Sequence, residues 1–215
     1  MLLGAVRWNG GIGSAKSTGG RCRPGAEIVG RPKINGGRAV AVSGEKGGGR
    51  RFGPVTVRRA TPRDARRLTR LVRTSRAYEG PYASMVEGYR VGPDYIETHR
   101  VFVAEAAEAG RAADGSGVRV LGFYALVLDP PELDLLFVAD EAQGLGIGRL
   151  LMAHLREEAG RTGLDRVRVV SHPPAEGFYR SVGARPVGVV RARPPAVRWD
   201  RPELVIEVGE APDGA

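Results

Sequence analysis

From Asp134 to Leu155 an apolar strand runs through a glycine-rich loop into an amphipathic helix, reading Asp-Leu-Leu-Phe-Val-Ala-Asp-Glu-Ala-Gln-Gly-Leu-Gly-Ile-Gly-Arg-Leu-Leu-Met-Ala-His-Leu. This order admits only folds in which a sheet hands the chain to a helix through a tight turn. Gly144, Gly146 and Gly148 lack Cβ atoms, so their backbone is expected to take positive φ and come close to a ligand. The helix expected from Ile147 would aim its free N–H groups and the positive end of its dipole at the same place. Such a loop suits an anionic group, above all a phosphate.

The loop's remaining residues exclude two phosphate binders. A P-loop needs Lys and Ser or Thr after its last glycine, and Gly148 is followed by Arg149 and Leu150. A dinucleotide fingerprint needs a third glycine where Arg149 stands and an acidic ribose partner about 20 residues on; neither is present.

The net charge of +9 is uneven along the chain. Residues 1–53 hold ten Lys or Arg against two acids, while residues 54–215 hold 23 against 22. The first segment also carries 15 of the 32 glycines and no sustained apolar period, so it is expected to be a disordered, basic extension. It would serve as a nucleic-acid-binding arm, a targeting segment or an extension from an upstream start. Residues 210–215 are read as a disordered tail. No window reaches the roughly 18 apolar residues of a membrane span, and a signal peptide's apolar core is missing, so the reading is a cytoplasmic protein without membrane contact. Cys22, the only cysteine, lies in the extension, which leaves residues 54–209, a single domain, without a disulfide, a thiolate metal site or a cysteine nucleophile.

Within that domain Val55–Arg59 alternates as a strand, and Thr61, Pro62 and Asp64 open a helix carrying Leu68, Leu71 and Val72. Arg63, Arg66, Arg67, Arg70 and Arg73 fall on its other side and read as a solvated face. Residues 75–100 carry Tyr78, Tyr82, Tyr89 and Tyr95 between Gly-Pro breaks, which predicts short helices and turns that either line a cleft or close the core. Strands are expected at 101–104, 118–128 and 133–138, with a flexible loop over 110–117. A helix over 147–159, a strand over 167–170, a short helix over 175–182 closed by Gly183, and strands at 186–191 and 204–208 complete the series. His154, on the helix's apolar face, reads as a packing residue.

The loop Gln143-x-x-Gly146-x-Gly148, together with Ala175-Glu-Gly-Phe-Tyr179-Arg-Ser-Val-Gly183-Ala, resembles the GCN5-related N-acetyltransferase (GNAT) family across residues 55–208. Ala184 stands where the family's motif has phenylalanine. The resemblance implies an α/β (α+β) fold, a mixed and mostly antiparallel sheet of six to seven strands flanked by helices, acting on acetyl-CoA without a metal. It implies that Leu136, Phe137, Val138, Gln143, Gly144, Leu145, Gly146, Ile147, Gly148, Arg149, His172 and Tyr179 contact the coenzyme. Backbone N–H groups near Phe137 and Val138 would polarise the thioester, Tyr179 would protonate the departing thiolate, and His172 stands where many members have a coenzyme-bonding asparagine.

The chemistry sets its own requirement. An amine of pKa ~10.4 is neutral in about one molecule in 2500 at pH 7, a handicap of roughly 4.6 kcal/mol that a base must remove. Glu132 and Asp134 sit two apart on one strand and share a face; Glu132, where the family often has a glutamate, is favoured as that base, with Asp134 as its substitute or as anchor for the substrate amine. The resulting expectation is direct acetyl transfer to a primary amine on a small molecule or a protein, with homodimers common in the family. The competing expectation is an acyl-CoA sensor or scaffold whose basic extension meets nucleic acid. The acceptor is not specified by these residues, since one fold serves many substrates.

Overall fold

A computed structural model of the 215-residue chain describes residues 4–6, 52–107, 117–195 and 197–209. Its strands are β1 (Gly4–Val6), β2 (Thr56–Arg59), β3 (Arg100–Ala107), β4 (Val118–Leu128), β5 (Pro131–Val138), β6 (Arg166–Val170), β7 (Arg185–Val190) and β8 (Arg201–Glu207). Seven run in the order β2-β3-β4-β5-β6-β8-β7, and β1 pairs with β5 outside that path. Every pairing is antiparallel except β5 with β6. Those two are parallel because the chain leaves β5 through α3 (Ile147–Arg161) and returns to the same end of the sheet. Helices α1 (Ala65–Arg73), α2 (Pro93–Thr98) and α4 (Glu176–Ser181) complete the described set.

Two cores cover the sheet. On one face Ile147, Leu151 and Leu155 of α3 and Phe178 and Tyr179 of α4 pack on Tyr124, Leu133 and Leu136. On the other, Leu68 and Val72 of α1 and Ile96 of α2 pack on Val101, Phe123, Leu135 and Phe137. Strand β5 is therefore buried on both sides, which is why it reads as an unbroken apolar run rather than an alternating one.

Local chemistry places the elements. Thr61 gives its backbone N–H to the Asp64 carboxylate at 2.8 Å, the capping box expected at this start. Asp64 also takes 2.9 Å and 3.0 Å bonds from Arg58, whose hydrogen bonds help hold that carboxyl at about 2 against burial. The tyrosine-rich stretch folds as single 3₁₀ turns at Arg76–Tyr78 and Gly80–Met85, as its Gly-Pro breaks require. His154 accepts or donates a 2.8 Å bond with the Tyr124 hydroxyl and packs at the core's edge.

Two expectations need correction and two fall outside what is described. Gly148 sits inside α3 and is buried, so it does not share the positive φ of 81° found at Gly144 and Gly146. The N-terminal extension is not wholly without structure: Gly4–Val6 form a strand, and Gly53 already bonds Ala107 at 3.0 Å. Residues 7–51 and 210–215, and most of the 110–117 loop, lie outside the described residues.

Candidate active site

Two irregularities of the sheet shape the site. Leu126 pairs with Leu133 and Ala125 with Leu135, so Asp134 is an extra residue bulged out of β5. Pairing between β5 and β6 covers only Glu132 with Arg168 and Leu133 with Val169. From Asp134 onward β5 parts from β6 and presents an edge to a gap. Ala139 gives its N–H to Leu121 of β4, and Phe137 turns its carbonyl toward Gly122 of β4. Strand alternation then points the N–H groups of Leu136 and Val138 into the gap, whereas that of Phe137 belongs to the β4 ladder.

The carboxylates expected to act as bases stand where the strands part. Both are buried, Glu132 at 1% exposure and Asp134 at 6%. Arg168 of β6 donates to Glu132 at 2.8 Å and to Glu203 at 2.5 Å. Asp134 accepts a 2.5 Å bond from the Tyr95 hydroxyl, and burial together with the Asp134 charge pushes that phenol well above its usual range. Tyr95 feels both acids, so they face the same side of the sheet, as their spacing implies.

Tyr179 is fully buried in α4, on the sheet face that α3 covers, its hydroxyl without a hydrogen-bond partner. Burial raises its pKa well above 10, with nearby Tyr78 adding to the effect, so it holds its proton at every ordinary pH. The Tyr78 hydroxyl is likewise buried and unpartnered. His172 packs between Tyr78 and Tyr82, with ring centroids at 4.5 Å and 4.2 Å, and neither of its ring nitrogens has a partner. Desolvation lowers the imidazole to about 4, which leaves it neutral, one nitrogen a donor and the other an acceptor. Trp199 closes the cluster edge-on to Tyr82 at 4.6 Å. Unpaired buried hydroxyls and ring nitrogens are costly, and the contact of Tyr78 with both His172 and Phe137 of β5 sets such groups beside the strand, as a ligand site would need.

The glycine loop lies beyond the far end of β5. Gly144 and Gly146 both have φ of 81°, and a Cβ on either would meet nothing within 4 Å, so conformation rather than crowding demands glycine. Gly146 precedes α3, whose start has no side-chain cap, and its carbonyl accepts from Leu150 at 3.0 Å. Gln143 folds back to Asp140 at 3.0 Å. Leu145 and Ile147 pack into the core beneath the loop, while Arg149 on the first turn reaches the Ser181 carbonyl at 3.4 Å. The open first turn of α3 and the vacant space at both glycines suit a phosphate group.

The comparisons agree with this geometry. The model of the acetyltransferase (GNAT) domain family matches residues 96–193, the span holding the bulge, the opening, the loop and Tyr179. Residues 96–193 thus match the GNAT domain, and the folded region has the GNAT fold. Similar solved structures include a GNAT-family protein from Desulfovibrio desulfuricans (19% identity, TM-score 0.55, 72% of this chain and 99% of that one). The ribosomal-protein-S18-alanine N-acetyltransferase of Escherichia coli superposes at TM-score 0.50 with 19% identity over 75% of this chain and 98% of its own. A Salmonella typhimurium protein, solved with its cofactor acetyl-CoA, gives 0.50 and 20% over 75% and 99%. No curated protein sequence matches the chain. Likeness at these identities speaks for the GNAT fold, with its seven-stranded mixed sheet and flanking helices.

The GNAT domain also holds a cavity of about 510 Å³ bounded by Arg66, Arg67 and Arg70 of α1, the first residues of β4 and the end of β5. None of the acid or tyrosine candidates lines it. No described helix is long and apolar enough to cross a membrane. Arg168 and the Tyr95 contact to Asp134 escape a reading of the sequence, because each partner lies more than 30 residues from its carboxylate.

Proposed function

We propose that this GNAT domain transfers an acetyl group from acetyl-CoA directly to a primary amine. The observation that carries the reading is the opening between β5 and β6, edged by outward N–H groups and flanked by Asp134 and Glu132. Family membership and the acetyl-CoA found with the Salmonella protein support the choice of donor. The donor's phosphates would lie on Gly144, Gly146 and the first turn of α3, with Gln143 and Arg149 beside them.

In this reading the N–H groups of Leu136 and Val138 hold the thioester arm and support charge developing on its carbonyl oxygen. Asp134 takes the amine's proton, displacing the Tyr95 hydroxyl as its hydrogen-bond partner. Glu132, bonded to Arg168, braces β5 against β6 beside it at the point where the strands part. Tyr179 donates a hydrogen bond to the departing sulfur. Full proton transfer from a phenol near ~10 to a thiolate near ~8.5 runs uphill by about 1.5 pH units, and burial steepens that, so the hydrogen bond is its main service. His172 supplies a donor and an acceptor to the amide groups of the arm.

The test is initial-rate kinetics of thiol release from acetyl-CoA over a panel of amines. The reading predicts intersecting sequential kinetics, and Tyr179→Phe should lower kcat about tenfold while leaving the melting temperature equal or higher, since an unpartnered buried hydroxyl is removed. Ping-pong kinetics with an isolable acetyl-enzyme, or unchanged turnover in Tyr179→Phe, would overturn it.

A further inference from the structure

The edge of β5 that faces the gap is partly covered, and the chain covers it with itself. Gly4, Ala5 and Val6 run antiparallel to β5 with Gly4 opposite Phe137, Ala5 opposite Leu136 and Val6 opposite Leu135. β1 also touches β6, so it stands within the opening rather than at the sheet's margin. Leu136 turns its N–H and carbonyl toward the gap, which makes Ala5 and Leu136 the hydrogen-bonded pair of this short ladder.

We propose that residues 4–6 compete with the acyl donor for the β5 edge, making the N-terminal strand an internal inhibitor of the coenzyme site. The proposal rests on the assignment of acetyl-CoA to this edge. Both occupants are extended, amide-bearing chains, and the N–H and carbonyl of Leu136 cannot serve both. Residues 7–51 join the strand to the domain. Strand and edge thus belong to one chain, and their meeting is intramolecular. Three residues of ladder would bind too weakly to hold from free solution, but tethering makes them a competitor that donor at sufficient concentration displaces.

The test uses the full chain and its Ala5→Pro variant, which removes the N–H that Ala5 gives to the ladder and leaves the domain untouched. Ala39→Pro, a proline in the same extension outside the strand, is the control. Acetyl-CoA affinity is read by calorimetry, and amide exchange at Leu136 is read without ligand. Ala5→Pro should bind acetyl-CoA about three- to tenfold more tightly than the parent and exchange the Leu136 amide faster, with Ala39→Pro matching the parent. Equal affinities in parent and Ala5→Pro overturn the competition. Absence of acetyl-CoA binding in all three proteins overturns it as well and removes the donor assignment, whereas the amide exchange still reports whether the strand is seated.

Discussion

His172 shows how a single residue departs from what its type suggests. A histidine on a loop after a strand commonly titrates near neutrality, but here desolvation between Tyr78 and Tyr82 lowers it to about 4. The unfolded chain, with histidine near ~6.5, therefore binds an extra proton that the folded one refuses. Stability should be flat above pH 6.5 and fall by at most about 3 kcal/mol as pH drops from 6.5 toward 4. Asp64, held at about 2 by Arg58, sheds its contribution only below that range, between roughly pH 4 and 2. Urea unfolding across this range checks the assignment: His172→Phe, which keeps a ring and loses the titration, should shrink the limb between 6.5 and 4, His154, also lowered by desolvation, supplying the remainder, and an unchanged limb would place its source elsewhere. Glu132, Asp134 and Tyr179 could be singled out in the sequence because spacing and motif mark them. What surrounds them could not, because Arg168, Tyr95 and Tyr78 reach them only through the folded sheet.

At the scale of elements, the strands and helices follow from apolar period and from Gly and Pro breaks, and the structure meets the expected order from β2 to β8. Three departures have physical causes. Asp134 is a bulge, and a one-residue insertion in a strand leaves no trace in a sequence whose flanks are apolar on both faces. Gly148 falls inside α3, so a run of alternating glycines did not distinguish loop glycines from a helical one. β1 pairs with an edge that β6 leaves open, a contact set by the sheet's geometry rather than by the strand's own composition. The β4–β5 ladder gives this scale its test. A Cβ at Gly122 would stand 2.7 Å from the Phe137 carbonyl oxygen, a backbone atom that cannot move without shifting β5. Gly122→Ala should cost about 1–3 kcal/mol in urea unfolding and weaken acetyl-CoA binding with it. Gly160→Ala, late in α3 with only Val208 at 3.6 Å, should be neutral or stabilising by up to about 1 kcal/mol. Similar effects at the two glycines would show that the ladder is more pliable than described.

For the molecule as a whole, two helical layers close both faces of one sheet, and β5 parts from β6 beside the unpartnered Tyr78 and His172. The glycine loop and the opening lie at one end of the same strand, so a single extended ligand can reach both. That arrangement follows from one parallel pair in an otherwise antiparallel sheet, and the resemblance of residues 55–208 to the GNAT family pointed to it before any contact was known. The identity of the acceptor was not legible, because one fold serves many substrates. The central claim is that this opening holds acetyl-CoA. The melting temperature of the full chain, measured with acetyl-CoA and with NADH as comparator, tests it most directly. Donor at 100 times its dissociation constant should contribute about 2.7 kcal/mol and raise the melting temperature by roughly 5–10 °C, with no rise from NADH. An equal response to both ligands, or none to millimolar acetyl-CoA, would contradict the account.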